Sequence, residues 1–426
     1  MRYLVAPYTV KGFTNISLLA AQGLLRRHKL LAIDTETQGD KIVMLQLGNA
    51  DFQVAIDCRY EDPTTLLRSL WKVRFIGHNI KYDYKMIKSN FSVVLPKVRD
   101  TMLGSMILTT GIDTPKGYHS LEQCVRRWID PLAYTNQGNL FRVVATKDVR
   151  AEFATHSGDF TEEQLTYGLL DVEYAFRLYS KVYELLKRES LLRVFWLENE
   201  FSMVAGDLEL KGLPFSSEQW VENTKLTSEK VLEHETKLKE TADINWNSQA
   251  QVLKVFKELG LEPRLVDKAK NIDRESVSSL ALASLKGDPL VDYYLEFKRL
   301  KKALTSYGLK FLENVNPKTN RIHTNIYQIL ATGRTASSDI NVQNIPRDKS
   351  FRDCFRAPKD KTLITADYSN QEVRVLADLA QDENMIRACR DSDVHLATAK
   401  IAFNNPQLKK DSQERQYAKS MNFLMA

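Results

Sequence analysis

The chain has 426 residues, too many for one hydrophobic core, so it is expected to divide into two or more domains. Its 43% hydrophobic and 27% charged residues are ordinary for soluble globular protein, and no apolar run approaches the length of a membrane span. The net charge of +6 permits a polyanionic partner without demonstrating one.

Residues 14–28 carry Ile16, Leu18, Leu19, Leu24 and Leu25 at helical spacing. Leu30 to Asp34 reads as a buried strand, with Ile42 to Leu47 and Phe52 to Ile56 as antiparallel partners across turns at Gly39-Asp40 and Asn49-Ala50-Asp51. Arg74 to Gly77 is a further strand, followed by helix from Lys81 and helical patterns over 100–110, 119–128 and 162–188. Strands followed by alternating strand and helix predict an α/β domain over 1–190. Beyond it the pattern turns helical: Leu191 to Gly212, the mixed-charge stretch 217–241, a helix capped at Asn247-Ser248-Gln249, and 288–314 with its Lys298, Arg299, Lys301 and Lys302 cluster. Arg321 to Ile329 alternates like a strand, and Leu363, Ile364 and Ala366 predict a short buried one ending at Asp367. A helix follows through Glu372, Val373, Leu376 and Leu379. Cys58, Cys124, Cys354 and Cys389 form no Cys-x-x-Cys pair and read as free thiols. With no signal peptide discernible, a cytoplasmic location is expected, bacterial or in a phage-infected host.

Three acidic motifs lie in the α/β region. Asp34-Thr35-Glu36 puts two carboxylates at i and i+2 of a strand, on one face. Asn79 and Asp83 are one helical turn apart, as are Tyr167 and Asp171. Taken singly, each acid reads as a helix cap or a surface charge. Together, Asp34, Glu36, Asp83 and Asp171 are four carboxylates from three elements, the donor set that holds two Mg²⁺ ions (or Mn²⁺) against a phosphodiester. Tyr167 is then placed to orient a water.

These residues resemble the 3′–5′ proofreading exonuclease domain of the DNA polymerase I family, family A, which is ribonuclease H-like. The resemblance implies that Asp34, Glu36, Asp83, Tyr167 and Asp171 are catalytic, that the four acids bind metal, and that Asn79 contacts the 3′ end of single-stranded DNA. It continues into the second half. Ala331 to Asp339 with Asn341-Val342-Gln343-Asn344-Ile345-Pro346 is similar to the family's thumb-to-palm signature, implying primer–template contacts from Arg334, Gln343 and Asn344. Asp367-Tyr368-Ser369 with Glu372 and Arg374 resembles the first palm motif, in which Asp367 binds metal and is catalytic and Glu372 screens the ribose 2′-hydroxyl. Asn370-Gln371 departs from the usual Gln-Ile pair there; read from this stretch alone, Asp367 suits a helix N-cap better, and the rest of the chain turns the reading to metal binding. Asp393-Val394-His395 matches a position where His395 approaches the incoming dNTP. Arg415, Lys419 and Phe423, four apart, share about an 80° arc over about 12 Å of one helix face. They resemble the nucleotide-binding stripe of the fingers.

The expected architecture is thus a ribonuclease H-like α/β exonuclease domain (1–190), a mostly α-helical thumb and connection (191–330), a partial palm (331–380) and the start of the fingers (381–426), the last two an incomplete α+β portion. The expected function is the N-terminal part of a DNA-directed DNA polymerase in replication. It would proofread by two-metal hydrolysis and extend primers once a second polypeptide supplies the remaining fingers and the palm's His-Asp-Glu segment. Two alternatives are a stand-alone exonuclease and a non-catalytic primer–template-binding fragment. A phage source is the expected one.

Overall fold

The computed structural model describes residues 1–133, 152–267, 272–346, 348–391 and 393–425. The chain divides into two compact units, Met1–Arg356 and Ala357–Ala426.

The first unit is built on a seven-stranded sheet in the order β2-β1-β5-β4-β3-β6-β7. The strands are β1 (Arg2–Val5), β2 (Thr14–Asn15), β3 (Leu30–Gln38), β4 (Lys41–Gly48), β5 (Gln53–Asp57), β6 (Arg74–Gly77) and β7 (Val98–Asp100). β3, β4 and β5 form an antiparallel meander, while β6 and β7 extend it in parallel. This is the ribonuclease H-like arrangement. The first strand, β1, runs parallel to β5 at the far side. Its pairing lies some fifty residues away in sequence, beyond any local pattern, and neither β1 nor β7 figures among the expected strands.

Apolar runs in β3 and β4 are nearly continuous because both faces are covered. On one face α1 (Leu18–Leu25), α2 (Thr64–Ser69) and α3 (Ile80–Phe91) pack Leu25, Leu66, Ile80, Tyr84 and Ile87 onto Ile33, Leu45, Leu47 and Phe75. Helices α4 (Thr101–Leu108) and α5 (Leu121–Trp128) follow in the chain. On the other face lies α6 (Glu162–Arg188), whose Leu165 and Leu169 meet Leu4, Met44 and Ala55, and whose Val172 and Ala175 meet Ala32 and Ile76. Each fully buried side chain of this size is worth about 1.5–3 kcal/mol of transfer free energy, so the sandwich is rigid where β3 emerges from it. Thr161 and Gln164 close a capping box at the start of α6.

Helix α7 (Leu192–Lys211) ends at Gly212, whose φ of +64° only glycine adopts readily. Beyond it the helices Ser217–Thr241 and Pro289–Tyr307 enclose Trp246, Phe256, Tyr294 and Phe297. The expected helix over 288–314 breaks at Gly308 and resumes as a 3₁₀ turn, Leu309–Asn314, packed through Phe311 on Trp220 at 4.6 Å. The expected strand over 321–329 is two pieces in two sheets. Arg321–Ile322 pairs with Leu213–Pro214, and Asn325–Tyr327 forms a hairpin with Ala336–Ser338.

Among its described residues the second unit has four helices, Gln371–Ala380, Glu383–Asp391, Val394–Ala402 and Gln413–Met425, with a core of Val373, Ala377, Cys389 and Val394. The strand expected at 363–366 does not form. Leu363 is 65% and Ile364 86% exposed in irregular backbone. A strand needs a neighbour for its N–H and C=O groups, and no described residue supplies one here.

Candidate functional site

β3 leaves the apolar sandwich at Asp34. From there its alternation sends Asp34 and Glu36 to one face and Thr35 to the other. On the first face α6 brings Asp171 close: ligand oxygens of Asp34, Glu36 and Asp171 all lie within 4.8 Å of one another. Helix and sheet approach so closely because residue 168 is glycine. A methyl group there would lie 2.4 Å from Gln46 Nε2 and 2.8 Å from Met44 Cε. Tyr167 sits one turn before Asp171, its ring 6.4 Å from that of Phe153. The β3–β4 register slips between Glu36 and Thr37, a bulge of the sort found beside active sites. An all-oxygen, anionic and partly exposed donor set of this kind fits a hard divalent cation such as Mg²⁺ or Mn²⁺.

Asp83 does not join that cluster. It lies 3% exposed beneath Thr35, whose hydroxyl donates to Asp83 Oδ1 at 2.6 Å. Burial pushes its carboxyl up to about 7, partly offset by that hydrogen bond. Of the four acids expected to converge, three meet and the fourth stands on the Thr35 side of the strand. Asn79 is the left-handed N-cap of α3, with φ +62°, and its side chain is exposed. It borders a cleft of about 510 Å³ also lined by Tyr82, Glu209, His323 and Tyr327.

The residues expected to meet primer and template lie on and just after the hairpin. Arg334 is exposed in its turn. Gln343 is tied back to it, accepting from Ser337 N at 3.2 Å and donating to Thr335 Oγ1 at 3.4 Å. The side chain of Asn344 is exposed, while its carbonyl accepts from Tyr307 at 2.6 Å. The basic cluster 298–302 is partly neutralised within the fold: Arg299 pairs with Glu296 at 2.7 Å and Lys298 donates to the Val277 carbonyl.

In the second unit Asp367 is exposed, and Glu372 lies in the first turn of its helix. The N-cap of that helix is Asn370 rather than Asp367. Arg415 is held by Asp393 at 2.6 Å, and His395 is buried against Asn422 at 3.0 Å. Burial holds the His395 imidazole below its usual range against the pull of Asp393, with Arg415 and Lys419 adding to the depression. His395, Arg415 and Lys419 therefore share one locality. The side chain of Phe423 lies outside the described residues.

Comparison with known proteins bears on both units. Residues 13–187 match the family model described as 3'-5' exonuclease, and residues 217–426 the one described as DNA polymerase family A. By that match residues 217–426 belong to DNA polymerase family A. DNA polymerase I of Borreliella burgdorferi is 26% identical over 94% of this chain and 45% of its own length. The DNA polymerase of Mycobacterium phage D29 is 28% identical over 94% of this chain and 69% of its own. Thermostable DNA polymerase I of Thermus thermophilus is 34% identical over 63% of this chain and 33% of its own. The chain spans less than half the length of the bacterial relatives it matches. A solved structure, the POL domain of Pol1 from M. smegmatis in complex with DNA primer-template and dNTP, superposes with a TM-score of 0.75. It covers 100% of this chain and 71% of that one at 19% identity, a likeness of fold.

One residue that supports the acidic site escaped the sequence reading. Asp100, 1% exposed, caps two helices with one carboxylate. Its Oδ1 accepts from Asn79 N at 3.0 Å and Met102 N at 2.8 Å, its Oδ2 from Ile80 N at 3.1 Å. Burial raises its carboxyl to about 6 despite those donors. The signal lay in Asp100-Thr101 just before an apolar helical run. Among the described residues no helix is long and apolar enough to cross a membrane.

Proposed function

We propose that residues 1–190 are a 3′–5′ exonuclease acting on single-stranded DNA 3′ ends, with Asp34, Glu36 and Asp171 as its cation ligands. The observation that carries this reading is the convergence of those three carboxylates. Two bound divalent cations would lower the pKa of an attacking water and stabilise charge on the phosphate. Tyr167 orients that water, and Asn79, exposed at the start of α3, holds the terminal nucleotide. Asp83 stands on the other side of β3, bonded to Thr35, and is not one of these ligands.

On the same proposal, 191–330 form thumb and connection, 331–380 part of the palm and 381–426 the start of the fingers. Arg334, Gln343 and Asn344 contact primer–template. Asp367 serves nucleotidyl transfer and binds its metal, Glu372 excludes ribonucleotides, and His395, Arg415, Lys419 and Phe423 bind the dNTP. Arg415 exchanges Asp393 for triphosphate oxygens when the nucleotide arrives. Holding both cations of that reaction takes more carboxylates than Asp367. The exposed stretch 363–366 is suited to pair with further palm strands.

Hydrolysis of a 5′-labelled single strand by the purified chain tests the first part. Mg²⁺-dependent shortening from the 3′ end, abolished by Asp34→Ala and kept by Asp367→Ala, supports it; degradation that survives Asp34→Ala rejects it. The convergence of the three carboxylates also favours a second reading, in which this chain acts as an exonuclease by itself. Primer extension by this chain supplied with the palm segment that carries the remaining carboxylates, lost with Asp367→Ala, separates the two.

A further inference from the structure

Gln46 is the one residue of β4 whose chemistry its surroundings do not explain. It lies within the apolar run Ile42 to Leu47 and is 0% exposed. Neither its Oε1 nor its Nε2 has a hydrogen-bond partner among the described residues. Its position is specific. On the sheet it stands directly opposite Asp34, and cross-strand partners project from the same face with Cβ atoms about 5 Å apart. Above it lies the backbone of Gly168, between Tyr167 and Asp171, where the missing methyl leaves room for the Gln46 amide. The neighbours on this face are Met44, Ala55, Leu165 and Leu169. A methionine or leucine would fill the same space without an unpaired amide, whose burial opposes folding by the full desolvation of each polar atom.

We propose that Gln46 is a positioning residue of the exonuclease site. Its amide binds an oxygen on the sheet side of the cation site, a carboxylate oxygen of Asp34 or a water between Asp34 and Asp171, that is in place only when cations are bound. Resting on the exonuclease reading, this assigns the outer part of the cation site to β4, which carries no acid there. Among the described residues nothing else satisfies this amide. With a cation held between Asp34 and Asp171, Nε2 would donate to the oxygen facing it and hold that carboxylate in its liganding rotamer. Partners of this kind tune affinity without touching the ion.

The test uses Mn²⁺ as probe, titrated into the metal-free full chain and followed by electron paramagnetic resonance, together with thermal melting in EDTA. Gln46→Met and Gln46→Leu are compared with wild type and with Asp171→Asn. The proposal expects both apolar variants to raise the Kd for Mn²⁺ by roughly 10- to 100-fold. Their metal-free melting temperatures should equal or exceed that of the wild type, since an unsatisfied amide has gone. Unchanged Mn²⁺ affinity in both variants overturns the proposal, as does a marked loss of metal-free stability, which makes Gln46 a structural residue. A different failure marks the parent reading. If wild type and Asp171→Asn bind Mn²⁺ alike, the acidic cluster is not a cation site and both ideas fall.

Discussion

At Asp83 the competing forces are desolvation and charge. The unfolded carboxyl titrates near 3.8 and the folded one near 7, so between those values the native state holds a proton that the unfolded chain releases. Stability from this residue is therefore present below about pH 4 and is lost as pH rises through 7. In EDTA, Asp83→Asn should be more stable than wild type at pH 8, the gap closing by pH 4–5, as read from urea unfolding at both pH values. Equal gaps at the two values would contradict the burial argument. Asp100 has the opposite structural role, because four N–H groups from two helix starts depend on it. At about 1 kcal/mol per cap, Asp100→Ala should cost roughly 2 kcal/mol in the same experiment. Residue spacing made the acids legible, since i and i+2 on a strand fix a shared face whatever surrounds it. It did not place Asp83. Spacing relates Asp83 to Asn79 along α3, whereas the side of β3 it meets depends on how helix and sheet dock.

Elements carry the geometry that brings the acids together. α6 reaches Asp34 and Glu36 only because Gly168 lets it lie against Gln46 and Met44. Gly168→Ala should cost about 1–3 kcal/mol through forced separation. It should also weaken Mn²⁺ binding, while an alanine at exposed Gly23 of α1, where a methyl meets nothing, does neither. α3 is fastened at its other side by Glu209 of α7. This 4% exposed carboxylate takes Lys81 at 2.6 Å and Lys85 at 2.5 Å and accepts from Ile326 N at 2.7 Å. Burial would raise it, but the two lysines and the backbone donor outweigh burial and hold it below the usual range. Its contribution is present at neutral pH and fades in acid. Glu209→Ala should destabilise by roughly 3 kcal/mol, the lower end for breaking a buried pair because both lysines keep contact with water. The β3-β4-β5 meander and α6 were readable from periodicity and turn residues. The helix break at Gly308 and the split of 321–329 between two sheets were not, since both follow from packing against Trp220 and pairing with Leu213–Pro214.

For the molecule as a whole, the central claim is that Asp34, Glu36 and Asp171 form a cation-binding exonuclease centre. The polymerase portion shares the chain, and its nucleotidyl transfer is a separate proposal. Motif order along the sequence gave access to the family, while the exposure of Leu363 and Ile364 became visible only in three dimensions, because a strand's fate depends on its neighbours. The most direct measurement is anomalous diffraction from crystals of this chain soaked in Mn²⁺. The account predicts a peak within coordination distance of Asp34, Glu36 and Asp171 that disappears in Asp171→Asn. Mn²⁺ peaks elsewhere, with none at these three carboxylates, would contradict it.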